Sequence, residues 1–470
     1  MSANAFGVPA HSAGPRPHDR LHLVRTVDVD RAEPGAPVDR RLPGTSTDGL
    51  VVPTAFGPRD YANLDHAAST PALRVVQAAV ERVLQTYSSV HRGNGYASRV
   101  TSAWYEQARA QVAAFVGARP DDHVVFTRNT TDSWGLLARV LPEDTTVLVF
   151  ASEHHSTLLP WRSDRTLTLP IPRDRDEAIR RLETALSTAP GAHRLVVVAG
   201  ASNVTGEVWP IERIVETSHR HGARVALDAA QYAPHRRIDL AASGIDYVAF
   251  SGHKLYAPFG AGVLAGRSDW LDSAEPYLVG GGATAQVTPD RVTWASGPAR
   301  HEGGSPNVVG AIAIAAAAAV IAAQREDIAL YEHLLAERLR HGLEAIPGVR
   351  THSVFGPGGD RVAVVAFTVE GLDSSLVSTA LSVEHGIGVR DGKFCAHQLV
   401  DVLLADTPVI AASTAVRASV GLANRPEHID RLVRAVRSLA TTGPALDYLE
   451  GPGGWAPEND PRALEPIRPW

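Results

Sequence analysis

Residues 224–266 read RVALDAAQYAPHRRIDLAASGIDYVAFSGHKLYAPFGAGVLAG. The runs RVALDAA (224–230), YVAFSG (247–252) and AGVLAG (261–266) are apolar at successive positions, the pattern of strands buried on both faces. Room for a helix exists between the first two runs but not between the last two, so a tight turn or hairpin is expected there. Polar residues gather where the strands end: Asp228 and Gln231 after the first, then Ser251, His253 and Lys254 after the second. In an open parallel sheet ligands bind beyond the carboxyl ends of the strands. Lys254 lies 26 residues past Asp228, one strand–helix–strand unit, so neighbouring strands would present both.

The same alternation extends upstream. Helical patterns at 72–87 and 103–117 precede a strand at 123–128 and a helix from about 131. Strands follow at 146–150 and 194–200, with helices near 176–187 and 211–221. After about 305 the pattern changes to a long helix from Asn307, another near 325–346, strands at 361–369 and near 415–420, and helices at 373–385 and 426–440. The expected architecture is α/β: a large domain at 56–305 with a mostly parallel sheet flanked by helices, and a smaller α+β domain at 306–440. The strand–helix segment near 60–90 is a candidate to pack with the smaller domain. Residues 1–55 read as a flexible extension and 441–470 as a Pro- and Gly-rich tail.

Of the 470 residues 44% are hydrophobic and 20% charged, enough for a sizeable core. A net charge of −6 argues against a nucleic-acid binder. No apolar window approaches membrane length, and residues 1–55 carry no apolar signal core, so a soluble, cytoplasmic protein is expected. The single cysteine cannot form an internal disulfide, which fits a reducing compartment. Lysine stands at only two positions, Lys254 and Lys393, against 45 basic residues in all. Codon bias explains the scarcity but not the survivors. Guanidinium stays protonated whereas a lysine amine can be tuned to neutrality, so nucleophilic amine chemistry is the first reading of Lys254.

Other strand ends carry further polar groups. FTRNTT (126–131) runs from a strand into a helix start, where Thr130 and Thr131 either cap the helix or help hold a phosphate. Asp228 is either a cap or the partner of a protonated pyridine nitrogen. ASEHHSTLLPW (151–161) supplies His154, which in this position could stack on such a ring and move protons. Neither His154 nor His155 has a third ligand at helix spacing, so no metal site is expected.

Across roughly 60–440 the chain resembles the class V aminotransferase family of fold-type I pyridoxal-phosphate (PLP) enzymes, most closely the SufS-type cysteine desulfurases and selenocysteine lyases. The resemblance rests on LDHAAST (64–70), VHRGN (90–94), FTRNTT, EHHSTLLPW, SNVTGEVWPI (202–211), LDAAQYAPHRRIDL, SGHKLYAPFGAG, EGGSPN (302–307), VRDGKFCAH (389–397) and VRASVGLANRPEHIDRL (416–432). It implies that Lys254 carries PLP as a Schiff base, His154 stacks on the ring and Asp228 binds the pyridine nitrogen. Asn203 and Gln231 would contact the ring hydroxyl. Thr131, Ser251 and His253 would hold the phosphate, with Ser305 reaching over from a second subunit. Arg390 and Arg417 would grip the carboxylate of a small amino-acid substrate. His91 and Arg92 would line the partner subunit's site, which implies a homodimer.

Cys395 stands where desulfurases of this type place the cysteine that attacks substrate sulfur. The implied reaction takes sulfur from L-cysteine as a persulfide on Cys395, releases alanine and serves a sulfur-acceptor protein. Another class V activity (C–S lyase, selenocysteine lyase, epimerase or aminotransferase) would leave Cys395 dispensable, and a non-catalytic binding module is the remaining alternative. The sequence departs from the family at Lys393 and Phe394, where two histidines are usual, at Ala257 and Phe259 in the lysine loop, and at His66, where Asn is common. On an extended segment Lys393 and Cys395 would point to the same side, so that the ammonium would favour the thiolate.

Overall fold

The computed structural model describes residues 42–356, 358–405, 413–462 and 468. Its apolar runs assemble into one seven-stranded sheet: β1 Asp122–Thr127, β2 Thr145–Phe150, β3 Thr166–Leu169, β4 His193–Ala199, β5 Arg224–Asp228, β6 Tyr247–Ser251 and β7 Gly262–Arg267. The spatial order is β1-β7-β6-β5-β4-β2-β3. From β3 to β6 every pairing is parallel. Only β7 runs the other way, paired antiparallel with β6 and β1 as the short connection after Ser251 requires. β2 and β6 are buried along their whole length, because helices cover both faces.

The helices of this part are α1 Arg74–Leu84, α2 Tyr96–Phe115, α3 Thr130–Val140, α4 His155–Leu158, α5 Arg175–Thr188, α6 Ile211–Arg220 and α7 Val308–Ala323. α7, almost wholly Ala, Val and Ile, packs against α1 and α2 in the interior; a helix apolar all round has to be enclosed. Among the described residues no single helix is long and apolar enough to cross a membrane. α2 starts seven residues before the expected 103. Its first turns carry Ser98 and Thr101, whose hydroxyls bond the Ser89 and Thr86 carbonyls, so the helix begins on polar contacts that hydrophobic periodicity does not register.

The rest builds a second, antiparallel sheet from β8 Val349–Thr351, β9 Val364–Val369, β10 Arg390–Gly392 and β11 Ala415–Ser419, in the order β8-β9-β11-β10. α8 Arg325–Glu344, α9 Ser374–His385 and α11 Pro426–Thr442 cover one face, and α10 His397–Ala405 belongs to a separate apolar cluster with Phe394. α9 begins where Asp373 accepts the Ser375 and Leu376 amides, and ends at Gly386 with φ of 64°. The segment near 60 joins this part: Ala62–Asn63 pairs in parallel with Ile387–Gly388, and Ala62 and Leu64 lie in its core.

Two stretches differ from the sequence reading. Within the expected N-terminal extension, Val51–Val52 pairs with Arg59–Asp60. Within the expected tail, Tyr448–Gly451 and Gly454–Pro457 form a hairpin. Buried Glu384 holds the approach to it, accepting the Ala445 and Leu446 amides and the Tyr448 hydroxyl. A buried carboxylate needs donors, and this segment supplies them.

Candidate active site

β1, β2, β4, β5 and β6 end on one edge of the large sheet. There a cavity of about 240 Å³ brings together Thr130, Thr131, His154, Asn203, Asp228, Gln231, Ser251, His253, Lys254, Arg390, Cys395 and Arg417. Ser251 Oγ accepts the Thr130 amide at 2.8 Å and lies 2.7 Å from the Thr130 hydroxyl, tying the lysine loop to the start of α3. Asn129 caps that helix by accepting the Asp132 amide. Gly262 faces Thr127 across the sheet, and a Cβ there would lie 2.6 Å from the Asn129 Cα, so only glycine permits the approach. The first-turn amides of α3, with Thr131, Ser251 and His253, make a donor set suited to a phosphate. The His253 carbonyl accepts the amide and the hydroxyl of Thr70, which clamps the loop against LDHAAST.

Asp228, at the end of β5, accepts the Thr157 hydroxyl at 2.5 Å and the Ala230 amide at 2.9 Å. The Lys254 amine has no hydrogen bond or ion pair among the described residues, and burial brings its pKa down to about 8; Asp228 opposes the shift while Arg417 adds to it. The amine is therefore partly neutral near physiological pH. Burial, with Lys254 beside it, takes His154 down to about 4, so its ring is neutral. His154 Nδ1 accepts the Ser156 amide at 3.1 Å, which leaves the proton on Nε2. The adjacent His155 does not share the cavity; its ring packs edge-on against His397, 4.5 Å between centroids.

Arg390 and Arg417 stand directly opposite on β10 and β11. Like charges so placed repel unless an anion joins them. Arg417 is 3% exposed; it donates to Asp65 Oδ1 and the Asn203 carbonyl, each at 3.0 Å, and its Nε has no partner. Cys395 is exposed to the same cavity, close enough to Arg417 and Lys254 to act on both.

The expected geometry at Lys393 needs correction. The chain is not extended at Lys393–Cys395: Phe394 and Cys395 have φ of 52° and 55°, and the Ala396 amide returns to the Lys393 carbonyl at 2.8 Å, as in a type I′ turn. Lys393 leaves the cavity and donates to Asp401 Oδ1 at 2.5 Å. Asn203 and Gln231 each spend an amide N–H on a backbone carbonyl, of Phe394 and Ala67 respectively. His91, Arg92 and Ser305 are not in the cavity. Arg92 donates to the Gly304 carbonyl at 2.9 Å, which places VHRGN beside EGGSPN in a patch of their own.

Sequence reasoning missed Thr157, Asp65 and Glu153. All three lie inside quoted motifs, and the first two show their roles only through the contacts with Asp228 and Arg417. Glu153 is 2% exposed and neither carboxylate oxygen is hydrogen bonded. Burial pushes its carboxyl well above the usual range, with the charge of Asp228 adding.

The sequence profile of the class-V aminotransferases matches residues 62–432. A protein of Mycolicibacterium paratuberculosis described as a probable cysteine desulfurase is 35% identical over 395 residues, 81% of this chain and 55% of that protein. A cysteine desulfurase of Synechococcus elongatus is 34% identical over 402 residues, 81% of this chain and 61% of its own length. The chain thus spans less than two thirds of either relative. The solved apo structure of a cysteine desulfurase from Thermococcus onnurineus superimposes with a TM-score of 0.72 at 30% identity, covering 81% of this chain and 94% of that one. With the lysine, the strand-end aspartate and the opposed arginines in one cavity, the chain belongs to the class-V aminotransferase family, whose members are PLP-dependent enzymes of fold type I.

Proposed function

We propose that this chain is a cysteine desulfurase that takes sulfur from L-cysteine onto Cys395 and releases alanine. The observation that carries the reading is that the only cysteine of the chain opens into the cavity that holds Lys254, Asp228 and the opposed arginines. The donor set fits PLP: helix amides, Thr131, Ser251 and His253 for the phosphate, Asp228 for the pyridine nitrogen, His154 for the ring face and an unpaired lysine amine. When bound, PLP supplies an electron sink that acidifies the substrate's α-carbon.

The remaining steps are those of the chain's own groups. Arg417 and Arg390 hold the substrate carboxylate in a planar fork. The partly neutral Lys254 amine removes the α-proton. The Cys395 thiolate bonds to the substrate sulfur as the substrate's C–S bond breaks. The electron pair stays on carbon, which takes a proton and leaves as alanine, while the sulfur remains as a persulfide for an acceptor. The patch where Arg92 meets Gly304, outside this cavity, supports a homodimer in which it completes a second copy's site. The smaller sheet reads as the second domain, carrying Arg390, Cys395 and Arg417. The test is product analysis with L-cysteine. Wild type is expected to release alanine and to carry one extra sulfur on Cys395 by mass spectrometry. Cys395→Ser should lose both while still binding the amino acid; pyruvate in place of alanine would make the enzyme a lyase.

A further inference from the structure

Three buried residues close a circuit between the substrate's carboxylate site and the nucleophile. Asn203 Nδ2 donates to the Phe394 carbonyl at 2.8 Å. Arg417 Nη1 donates to the Asn203 carbonyl at 3.0 Å. The Arg417 guanidinium lies over the Phe394 ring, 5.1 Å from its centroid. All three side chains are less than a tenth exposed. The next residue is Cys395. Its turn places Phe394 and Cys395 in the left-handed region, which residues with a side chain disfavour and which persists only where neighbours hold it. The holders here are Asn203 on the Phe394 carbonyl and the His155 amide on the Cys395 carbonyl at 2.8 Å.

We propose that Phe394 is a positioning residue that makes the Cys395 turn respond to occupancy of Arg417. A carboxylate reaching Arg417 in the cavity competes with Asp65 for the guanidinium and resets its plane. The stacked ring and the Asn203 amide carry that change into the turn, so the thiol is aligned when an amino acid is in place. The inference deepens the desulfurase reading, since it rests on Arg417 as carboxylate anchor and Cys395 as nucleophile.

The experiment uses the holoenzyme and propionate, which has the carboxylate but no amine or sulfur and does not turn over. Iodoacetamide alkylation of Cys395 is timed with and without saturating propionate, whose binding is followed by calorimetry. In wild type, propionate is expected to change the alkylation rate by about tenfold, the coupling a desolvated guanidinium–aromatic contact can carry. Phe394→Leu, which keeps an apolar side chain on the same left-handed backbone, should bind propionate and show no change in rate. Phe394→His, which restores a flat ring, should recover the response. Shielding of the thiol by the ligand would persist in the Leu variant, so a retained response there overturns the proposal. So does an unresponsive wild type that binds propionate. No binding in wild type overturns the anchor reading as well, which separates the two failures. Should Phe394→Leu not fold, Asn203→Ala cuts the other limb and must abolish the response.

Discussion

Lys393 Nζ donates to Asp401 Oδ1 at 2.5 Å, an exposed ion pair between the Cys395 turn and α10. Pairs of this kind contribute about 0–1 kcal/mol. Lys393→Ala is therefore expected to leave the iodoacetamide rate at Cys395 within about twofold of wild type at each pH tested. A tenfold fall would restore to Lys393 an electrostatic role at the thiol.

Lys254→Arg should keep the fold and the charge and lose the amine chemistry, because a guanidinium does not deprotonate in this range. Turnover should fall by at least about 10²-fold. Borohydride reduction of the wild-type holoenzyme followed by peptide mapping should place the pyridoxyl group on Lys254. Finding it on Lys393 would reassign the site.

The rate at which apo protein captures PLP should rise with pH and level off above the Lys254 pKa of about 8, since only the neutral amine is nucleophilic. Asp228 favours the ammonium, so Asp228→Asn should move the midpoint to lower pH. Stopped-flow absorbance reads both curves. A midpoint near 10.5 would mean that burial has not perturbed the amine.

The folded protein holds the Glu153 proton above the pH, about 4.5, at which the unfolded chain releases it. Below that pH the group is neutral in both states and costs nothing; as pH rises it lowers stability increasingly. Gln mimics the protonated acid at every pH. Glu153→Gln apo protein is thus expected to melt above wild type at pH 7, with the difference shrinking as pH falls toward 4.5. Calorimetric scans at the two pH values decide it, and a lower melting temperature at pH 7 would mean that Glu153 is charged and engaged.

The parallel strands were legible because β2, β4, β5 and β6 are apolar at consecutive positions, which only burial on both faces explains. β3, the alternating TLTL at the sheet edge, was not, since a run of four residues in which only Leu169 is buried resembles a loop. The cofactor side was legible because its residues sit at strand ends, whose positions follow from the strands. The substrate side was less so. Asp65 meets Arg417 only through pairing of segments far apart in sequence, and the Lys393–Cys395 turn puts two non-glycine residues in a conformation that composition does not announce. The expected Lys393–Cys395 proximity failed on that backbone, not on the chemistry.

Arg417 meets Asp65, and Ser419 Oγ accepts the Ala67 amide, at a sequence separation of 352 in each case. The pocket is drawn shut by the two ends of the described chain, with β11 as the last piece of the second sheet to be synthesised. At a translation rate of about 5–20 residues per second, Lys254 precedes Arg417 by on the order of ten seconds. Until β11 has left the ribosome, the growing chain has its reactive amine but neither the opposed arginines nor a seat for the Cys395 turn. Under the proposed function, competence to handle sulfur therefore arises only after β11 is made, which keeps a half-made polypeptide from starting a reaction it has no means to finish.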